Sequence, residues 1–304
     1  MKRRRVHYGR LLFVIVVVLG IGLGAWKLVT SVLDDNATPS TPVENTNTPA
    51  EEETPKSAFA VVDYYHEELE DRYQAYQNAH PDESIENIVT YVNIGIDQPF
   101  FTDPVIEVEN PDDTGVLINK MYKLPDNYQP SDLVETSQPC IQGQHYSCYA
   151  GGTQYLRKEA NDHFQELCAH AREEIGINIY AIASFRDYDY QNTLYQYGLD
   201  TQGQEYADQY YARPGQSEHQ TGLTLDVTFD TWNYNELDQH PQYKWFLEHL
   251  AEHGFILRYP EGKEFITGYE HESWHIRYLG VDLSKAVYES GLTYEEFIAR
   301  GMSA

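Results

Sequence analysis

The sequence predicts an α+β fold, because helical periodicity comes first and strand-like alternation clusters after it. Tyr155 to Ile175 places Leu156, Ala160, Phe164, Leu167, Cys168, Ala171 and Ile175 at steps of three and four, an amphipathic helix that Gly176 ends. Ile177, Ile179, Ala181 and Ala183 then alternate with other residues, as a strand running into SFRDYDYQ (184–191). Leu223, Leu225, Val227 and Phe229 alternate as well, with Thr224, Asp226 and Thr228 on the opposite face, so a half-buried strand points one carboxylate outward. Tyr243 to His253 reads as helix, Phe255 to Tyr259 and His275 to Tyr278 as extended chain, and Thr293 to Arg300 as a short final helix.

The 304 residues allow one large domain or two small ones, and 41% hydrophobic content with 13% aromatics is ample for a core. Six of the 21 bases and none of the 48 acids fall in the first 33 residues, which leaves 15 bases and a formal charge of −33 for the rest. Such a field repels phosphate, so nucleic acid is excluded as a partner. The strong acidity speaks to solubility rather than to fold.

The segment from Leu11 to Trp26 is an unbroken run of apolar residues and glycines, extended by Leu28 and Val29. That is near the lower limit of about 17 residues for a membrane-spanning helix. With basic residues before it, the expectation is a cytoplasmic segment (1–10), a transmembrane signal anchor (11–30) and a C-terminal domain outside the cell membrane. Secretion after signal cleavage is the alternative. Residues 34–57, rich in Pro, Thr, Asn and Glu, read as a disordered tether to an extracellular domain over 58–304. Cys140 and Cys148 close a short polar loop in which a disulfide is chemically allowed, whereas Cys168 lies on the apolar stripe of a helix as a buried thiol. No obligate protein partner is evident.

Three segments concentrate His, carboxylate and Arg near strand ends: SFRDYDYQ (184–191), RPGQSEHQTGLTLDV (213–227) and YEHESWHIRY (269–278). Their chemistry suits one zinc site, since two imidazoles and a carboxylate leave Zn2+ a net positive charge and an open position for water. Such an ion acidifies water and polarises an amide carbonyl, while a nearby carboxylate moves the proton. Gly222, between His219 and Asp226, can supply the turn that folds the histidine back beside the outward carboxylate. Glu272 and His275 are an odd number apart, so a continuous strand would point them to opposite faces; Glu272 is therefore expected in a turn before the strand.

SEHQTGLTLD is similar to the SxHxxGxAxD motif, and ESWH to the ExxH motif, of the LAS metallopeptidases, the group that joins lysostaphin-type enzymes, D-alanyl-D-alanine peptidases and hedgehog-type domains. Within that group the chain most resembles the VanY-type carboxypeptidases over roughly Asn87 to Ile298, including YVNIGID, ARPGQSEHQTG and FILRYPEGKEFITGYEHESWHIRYLG. The resemblance implies a zinc peptidase domain with a central antiparallel sheet and flanking helices. It implies one zinc per catalytic domain on His219, Asp226 and His275, Glu272 as general base, and Arg186, at the arginine of the family's SxxR motif, polarising or orienting substrate. Ser217, Gln191 and Trp274 fall where the family lines its pocket, and Arg213 joins Arg186 as a candidate partner for a free terminal carboxylate. Thr224 departs from the family's usual Ala, and the Cys140 to Cys148 loop reads as an insertion.

The implied activity is release of terminal D-alanine from peptidoglycan stem peptides, after a D- or an L-residue, in cell-wall remodelling. An endopeptidase and a catalytically silent wall-binding domain are the alternatives; loss of Glu272 would have favoured the second. Taken singly, the same residues have plainer roles: a core histidine, an arginine paired with Asp187 or Asp189, or, for Gln191, an ordinary helix position. His240, His249, His253 and His271 read as surface or helix histidines.

Overall fold

A computed structural model describes residues 57–100, 105–136, 153–230 and 232–304. The segments 1–10 and 11–30, nearly all of the 34–57 tether, and Cys140 with Cys148 lie outside the described residues. The expected single-pass placement in the cell membrane is corrected: among the described residues no helix is long and apolar enough to cross a membrane. The longest, Lys158–Glu174, has 17 residues and carries charged side chains along its outer face.

Helices α1 (Glu70–Ala79) and α2 (Ile85–Ile94) form the first packed unit. The Ser84 side chain accepts the Asn87 N–H to start α2, and Gly95, at φ 93°, ends it in the left-handed conformation that glycine adopts without cost. Tyr73, Ile88, Val89 and Val92 pack with Phe59 into a small core. Strands β1 (Ile106–Glu107) and β2 (Tyr122–Lys123) pair in parallel, and β3 (Leu133–Glu135) and β4 (Tyr155–Arg157) pair antiparallel.

β4 runs directly into α3 (Lys158–Glu174), so the helix starts three residues later than its apolar spacing suggests. Leu156 supports both patterns, and the ladder with Val134 selects the strand. From Ala160 onward the expected stripe holds: Ala160, Phe164, Leu167, Cys168 and Ala171 are buried against the main core, Cys168 as a free thiol. Burial pushes that thiol well above its ordinary pKa, so it remains an inert SH.

The main core lies under a four-stranded, wholly antiparallel sheet. Its strands are β5 (Ile179–Ala183), β6 (Thr224–Phe229), β7 (Phe255–Tyr259) and β8 (Glu272–Tyr278), in the order β5-β6-β8-β7. Between β5 and β6 come α4 (Tyr188–Gln202) and α5 (Gln204–Tyr210). Leu225, Val227, Phe229, Phe255, Ile276 and Tyr278 face α3 and α6 (Tyr243–His249), the apolar side of the sheet. The expected helix through His253 breaks after α6 into a 3-10 turn, Ala251–His253. α7 (Glu264–Thr267), α8 (Val281–Ser290) and α9 (Tyr294–Ala299) complete the fold, α9 opening on a capping box between Thr293 and Glu296.

β8 begins at Glu272, three residues before the expected start at His275, and so corrects the turn predicted for Glu272. Its register against β7 slips: Leu257 faces Ile276, but Tyr259 faces Glu272, so extra residues are accommodated on β8. That bulge breaks the strict two-residue alternation and removes the parity objection to Glu272 and His275 sharing one side.

Gly254, at φ 79°, turns the chain from the 3-10 turn into β7, and an added Cβ would stand 2.5 Å from Tyr278 Cε2 and 3.2 Å from the Gly280 carbonyl carbon. Tyr278 is buried and held by its hydroxyl on Glu159, so it has no room to yield. Gly254→Ala is expected to cost about 1–3 kcal/mol from overpacking alone, with left-handed backbone strain in addition. Urea unfolding checks this; a change within error of zero would mean the turn relaxes freely.

Candidate active site

Three sequence-distant segments meet above the polar side of the sheet. Ser217 leads into the 3-10 turn Glu218–Thr221, which Gly222 closes at φ 68° with its N–H on the His219 carbonyl. This is the turn expected from Gly222, and it carries His219 back over β6. In the β6–β8 ladder Asp226 and His275 stand directly opposite each other. His219 Nε2 lies 3.4 Å from Asp226 Oδ2, and His275 Nδ1 lies 3.1 Å from Asp226 Oδ1. The two imidazole rings meet edge to face at 5.1 Å. Glu272 Oε2 is 3.2 Å from the same His275 Nδ1.

The neighbours set the tautomers. His219 Nδ1 is 2.6 Å from the Ser184 carbonyl, which can only accept, so Nδ1 carries the proton and Nε2 turns its lone pair inward. Burial, then Arg186, pushes the His219 pKa down to about 4, so its ring is neutral at pH 7. Burial works against the charged form of Asp226, but the imidazoles around it outweigh that, and with the His219 ring neutral it is the charged His275 ring that holds the carboxylate ionised. For His275 burial favours the neutral ring, yet the carboxylates of Asp226, Glu218 and Glu272 together raise its pKa well above the ordinary value. The pocket is therefore built to hold positive charge.

That charge need not be a proton. His219 Nε2 and Asp226 Oδ1 are buried without a hydrogen-bond partner, an expensive condition unless another group engages them. Ligand atoms of His219, Asp226 and His275 all lie within 4.8 Å of one another, one of two such groups among the described residues. Two imidazoles and one carboxylate are a donor set suited to zinc, and they leave a coordination position open.

Glu218, the residue before His219, lies behind the two imidazoles at the edge of the cleft. Fully buried, it accepts from Arg258 Nε at 2.8 Å and Arg277 Nη1 at 2.9 Å, while its other oxygen lies 3.6 Å from His275 Nε2. Arg258 also donates to Glu295, and Arg277 donates to the carbonyls of Thr114 and Val116 at 2.9 Å. Burial opposes its charge, but Arg258 and Arg277 overcome that and drive its pKa far below the carboxylate range. Glu218 thus stands as a charge behind the His275 ring, itself tied to the core by the two arginines.

The cleft around the cluster measures about 230 Å³ and is lined by Arg186, Gln191, Ser217, Glu272 and Trp274, with Tyr259 and Tyr269 beside them. This is smaller than the roughly 300–1,000 Å³ of drug-sized sites. Arg186 leaves its Nε without a hydrogen-bond partner, and its backbone N–H reaches the His219 carbonyl at 3.2 Å. Gln191 is a helix residue of α4 whose amide donates to the Ala212 carbonyl at 2.7 Å. Arg213 stands elsewhere: it pairs with Asp208 at 2.9 Å and lines a neighbouring groove with Tyr195 and Gln216. Tyr259 and Tyr269 escaped sequence reasoning. Burial raises both phenols, and the Tyr259 ring packs 4.7 Å from His275. Their only sequence signal is proximity to the ESWH segment.

A buried two-histidine, one-carboxylate cluster with a further carboxylate beside it is the donor set that metal-dependent hydrolases use. The chain matches the family VanY, D-alanyl-D-alanine carboxypeptidase, over residues 153–281. It is 36% identical over 203 residues to the provisionally named carboxypeptidase YodJ of Bacillus subtilis (strain 168), covering 65% of this chain and 71% of that one. It is 32% identical over 187 residues, 60% of this chain and 91% of the relative, to the bifunctional D-Ala-D-Ala dipeptidase and carboxypeptidase VanXYC of Enterococcus gallinarum. Among solved structures it resembles the LD-carboxypeptidase LdcB, described for its peptidoglycan recognition, with TM-score 0.59 and 35% identity over 66% of this chain and 92% of that one. The chain belongs to the VanY family of carboxypeptidases.

Removing the Glu218 carboxylate leaves Arg258 with Glu295 alone and Arg277 with backbone carbonyls alone, and breaking a buried pair in this way typically costs about 3–5 kcal/mol. Glu218→Ala should lower unfolding stability by that order in urea titrations. A loss under about 1 kcal/mol, the scale of an exposed pair, would show that water replaces the carboxylate.

Proposed function

We propose that this chain is a zinc-dependent carboxypeptidase that releases terminal D-alanine from peptidoglycan stem peptides, after a D- or an L-residue. The observation that carries the reading is the convergence of His219, Asp226 and His275 with Glu272 on one buried spot. Family membership and relatives of both D,D and L,D type support the chemistry. The catalytic domain is assigned to residues 58–304.

His219 Nε2, an Asp226 oxygen and His275 Nδ1 would hold the metal. Zinc bound there would acidify water and polarise the scissile carbonyl. Glu272 is the carboxylate left free to take the water's proton and return it to the departing amine, since Asp226 is committed to the metal. Glu218 is unsuited to that task, because two guanidiniums keep it charged and occupied. Arg186 faces the cleft with a buried Nε that lacks a partner, as a guanidinium awaiting a carboxylate does. We assign it the substrate's free terminus, in preference to Arg213, whose charge is spent on Asp208. Ser217, Gln191 and Trp274 shape the wall around the departing residue. The retained Glu272 weighs against a silent wall-binding domain.

The deciding assay is D-alanine release from a synthetic pentapeptide and a synthetic tetrapeptide, which also separates D,D from L,D cleavage. Glu272→Gln should keep its zinc and lose about 100- to 10,000-fold in turnover, and amidating the substrate's terminal carboxylate should abolish cleavage. A fully metallated Glu272→Gln retaining more than about a tenth of wild-type turnover would remove it as the base. Equal cleavage of the amidated peptide would make the protein an endopeptidase.

Metal uptake should also be coupled to protons. Zinc binding to chelator-treated protein at pH 7 must displace the proton that the carboxylates hold on His275, so about one proton should be released per ion. His219, pushed down to about 4 from its ordinary 6.5, should give up none at that pH. The depressed His219 makes the unfolded chain the stronger proton binder between 6.5 and about 4, so its effect is a loss of stability as pH falls through that window. His275 has the opposite sign, its stabilisation complete below 6.5 and lost as pH rises through its raised value. Titration in buffers of different ionisation enthalpy counts the protons; none released would show that His275 is neutral before metal arrives.

A further inference from the structure

On the apolar side of the sheet, opposite the cleft, a second cluster of nitrogen and oxygen donors joins two helices. We propose that His170 and Glu174 of α3, with His249 of α6, form a second metal site for zinc or a similar borderline divalent ion, steadied by His253.

Its origin lies in two helical spacings. His170 and Glu174 are four residues apart on α3, and His249 and His253 are four apart across α6 and the 3-10 turn after it. Residues at that spacing share a helix face, the geometry by which paired side chains grip one ion. The two pairs face each other, because α3 and α6 pack against the same core. Ligand atoms of His170, Glu174 and His249 all lie within 4.8 Å of one another.

The hydrogen bonds leave lone pairs where an ion needs them. His249 Nδ1 is 2.7 Å from the Trp245 carbonyl, so Nδ1 donates and Nε2 is free to ligate. The Trp245 ring stacks on that imidazole at 4.2 Å and 15°, fixing its plane. His249 Nε2 points toward Glu174, 4.0 Å from Oε2, and His170 Nε2 is 2.9 Å from the same oxygen. Behind it, His170 Nδ1 is 3.0 Å from His253 Nε2.

This last contact is a switch in proton direction. When His170 Nε2 carries hydrogen toward Glu174, Nδ1 must accept, so His253 donates. When a cation takes the place of that hydrogen, the proton moves to Nδ1 and His170 donates to His253. A neutral His253 imidazole can take either part, because its proton can sit on either ring nitrogen. A tetrahedral zinc needs ligand atoms about 3.4 Å apart, and Glu174, 51% exposed, is free to close the difference. Three protein ligands leave one position for water. The ion would tie α3 to the end of α6, acting as a clamp on the core.

The test is made on the full chain with His219→Ala and His275→Ala, so that zinc counted there does not belong to the cleft. That protein should bind about one zinc with micromolar or tighter affinity, and cobalt(II) should report the site by visible absorption. Adding His249→Gln or Glu174→Gln should abolish uptake, and His253→Phe should weaken it about 10- to 100-fold. His249→Gln in the otherwise unaltered chain should still release D-alanine and keep one zinc, which shows that it folds. No zinc above background in the cleft double variant would overturn the site. So would uptake that survives both His249→Gln and Glu174→Gln.

Discussion

Glu218 sits at the centre of the polar side of the sheet with no exposure of its side chain, held between Arg258 on β7 and Arg277 on β8. Charge buried in this way is stable only when every partner is in place, and here the partners come from a loop and two strands. Satisfying them fixes where the 3-10 turn meets the sheet. Because the next residue is His219, the same bonds bring its imidazole to Asp226, which the ladder with β8 sets opposite His275. The cleft is a consequence of how a buried carboxylate is neutralised.

The two sides of the sheet divide the labour. Leu225, Val227, Phe229 and Ile276 point toward α3 and build an apolar core, while the intervening Asp226, His275 and Arg277 point toward the cleft and its supporting charges. Alternation alone produces this division along β6. On β8 it would have set Glu272 against His275, and the slipped register with β7 brings the two carboxyl and imidazole groups within 3.2 Å instead. A bulge beside reactive residues serves here to re-aim a side chain.

The chain is organised around cation-shaped gaps rather than around its net charge. The acids that matter most are buried and matched with cationic groups: Glu218 and Glu295 with arginines, Asp226 with imidazoles. Arg213 shows the same rule from the other side. Its guanidinium resembles a substrate clamp in sequence, yet Asp208, five residues before it, has already taken it.

Much of this was legible in the sequence by itself. The period of α3 from Ala160, the alternation that turns Asp226 outward, the Gly222 turn and the grouping of His219, Asp226, Glu272 and His275 in two short motifs are all local, and local pattern is what a sequence displays. What only the tertiary structure decided depends on residues distant in the chain. Glu218 meets Arg258 and Arg277 across 40 and 59 residues, Tyr155–Arg157 becomes strand because β3 pairs with it, and Glu272 joins His275 through a bulge measured against β7. His249 and His253 read as surface or helix histidines, and only the packing of α6 beside α3 brings them to His170 and Glu174. Periodicity tells which face of an element is apolar, but which buried charge or ring will answer another is settled only when packing removes the water that would otherwise satisfy both.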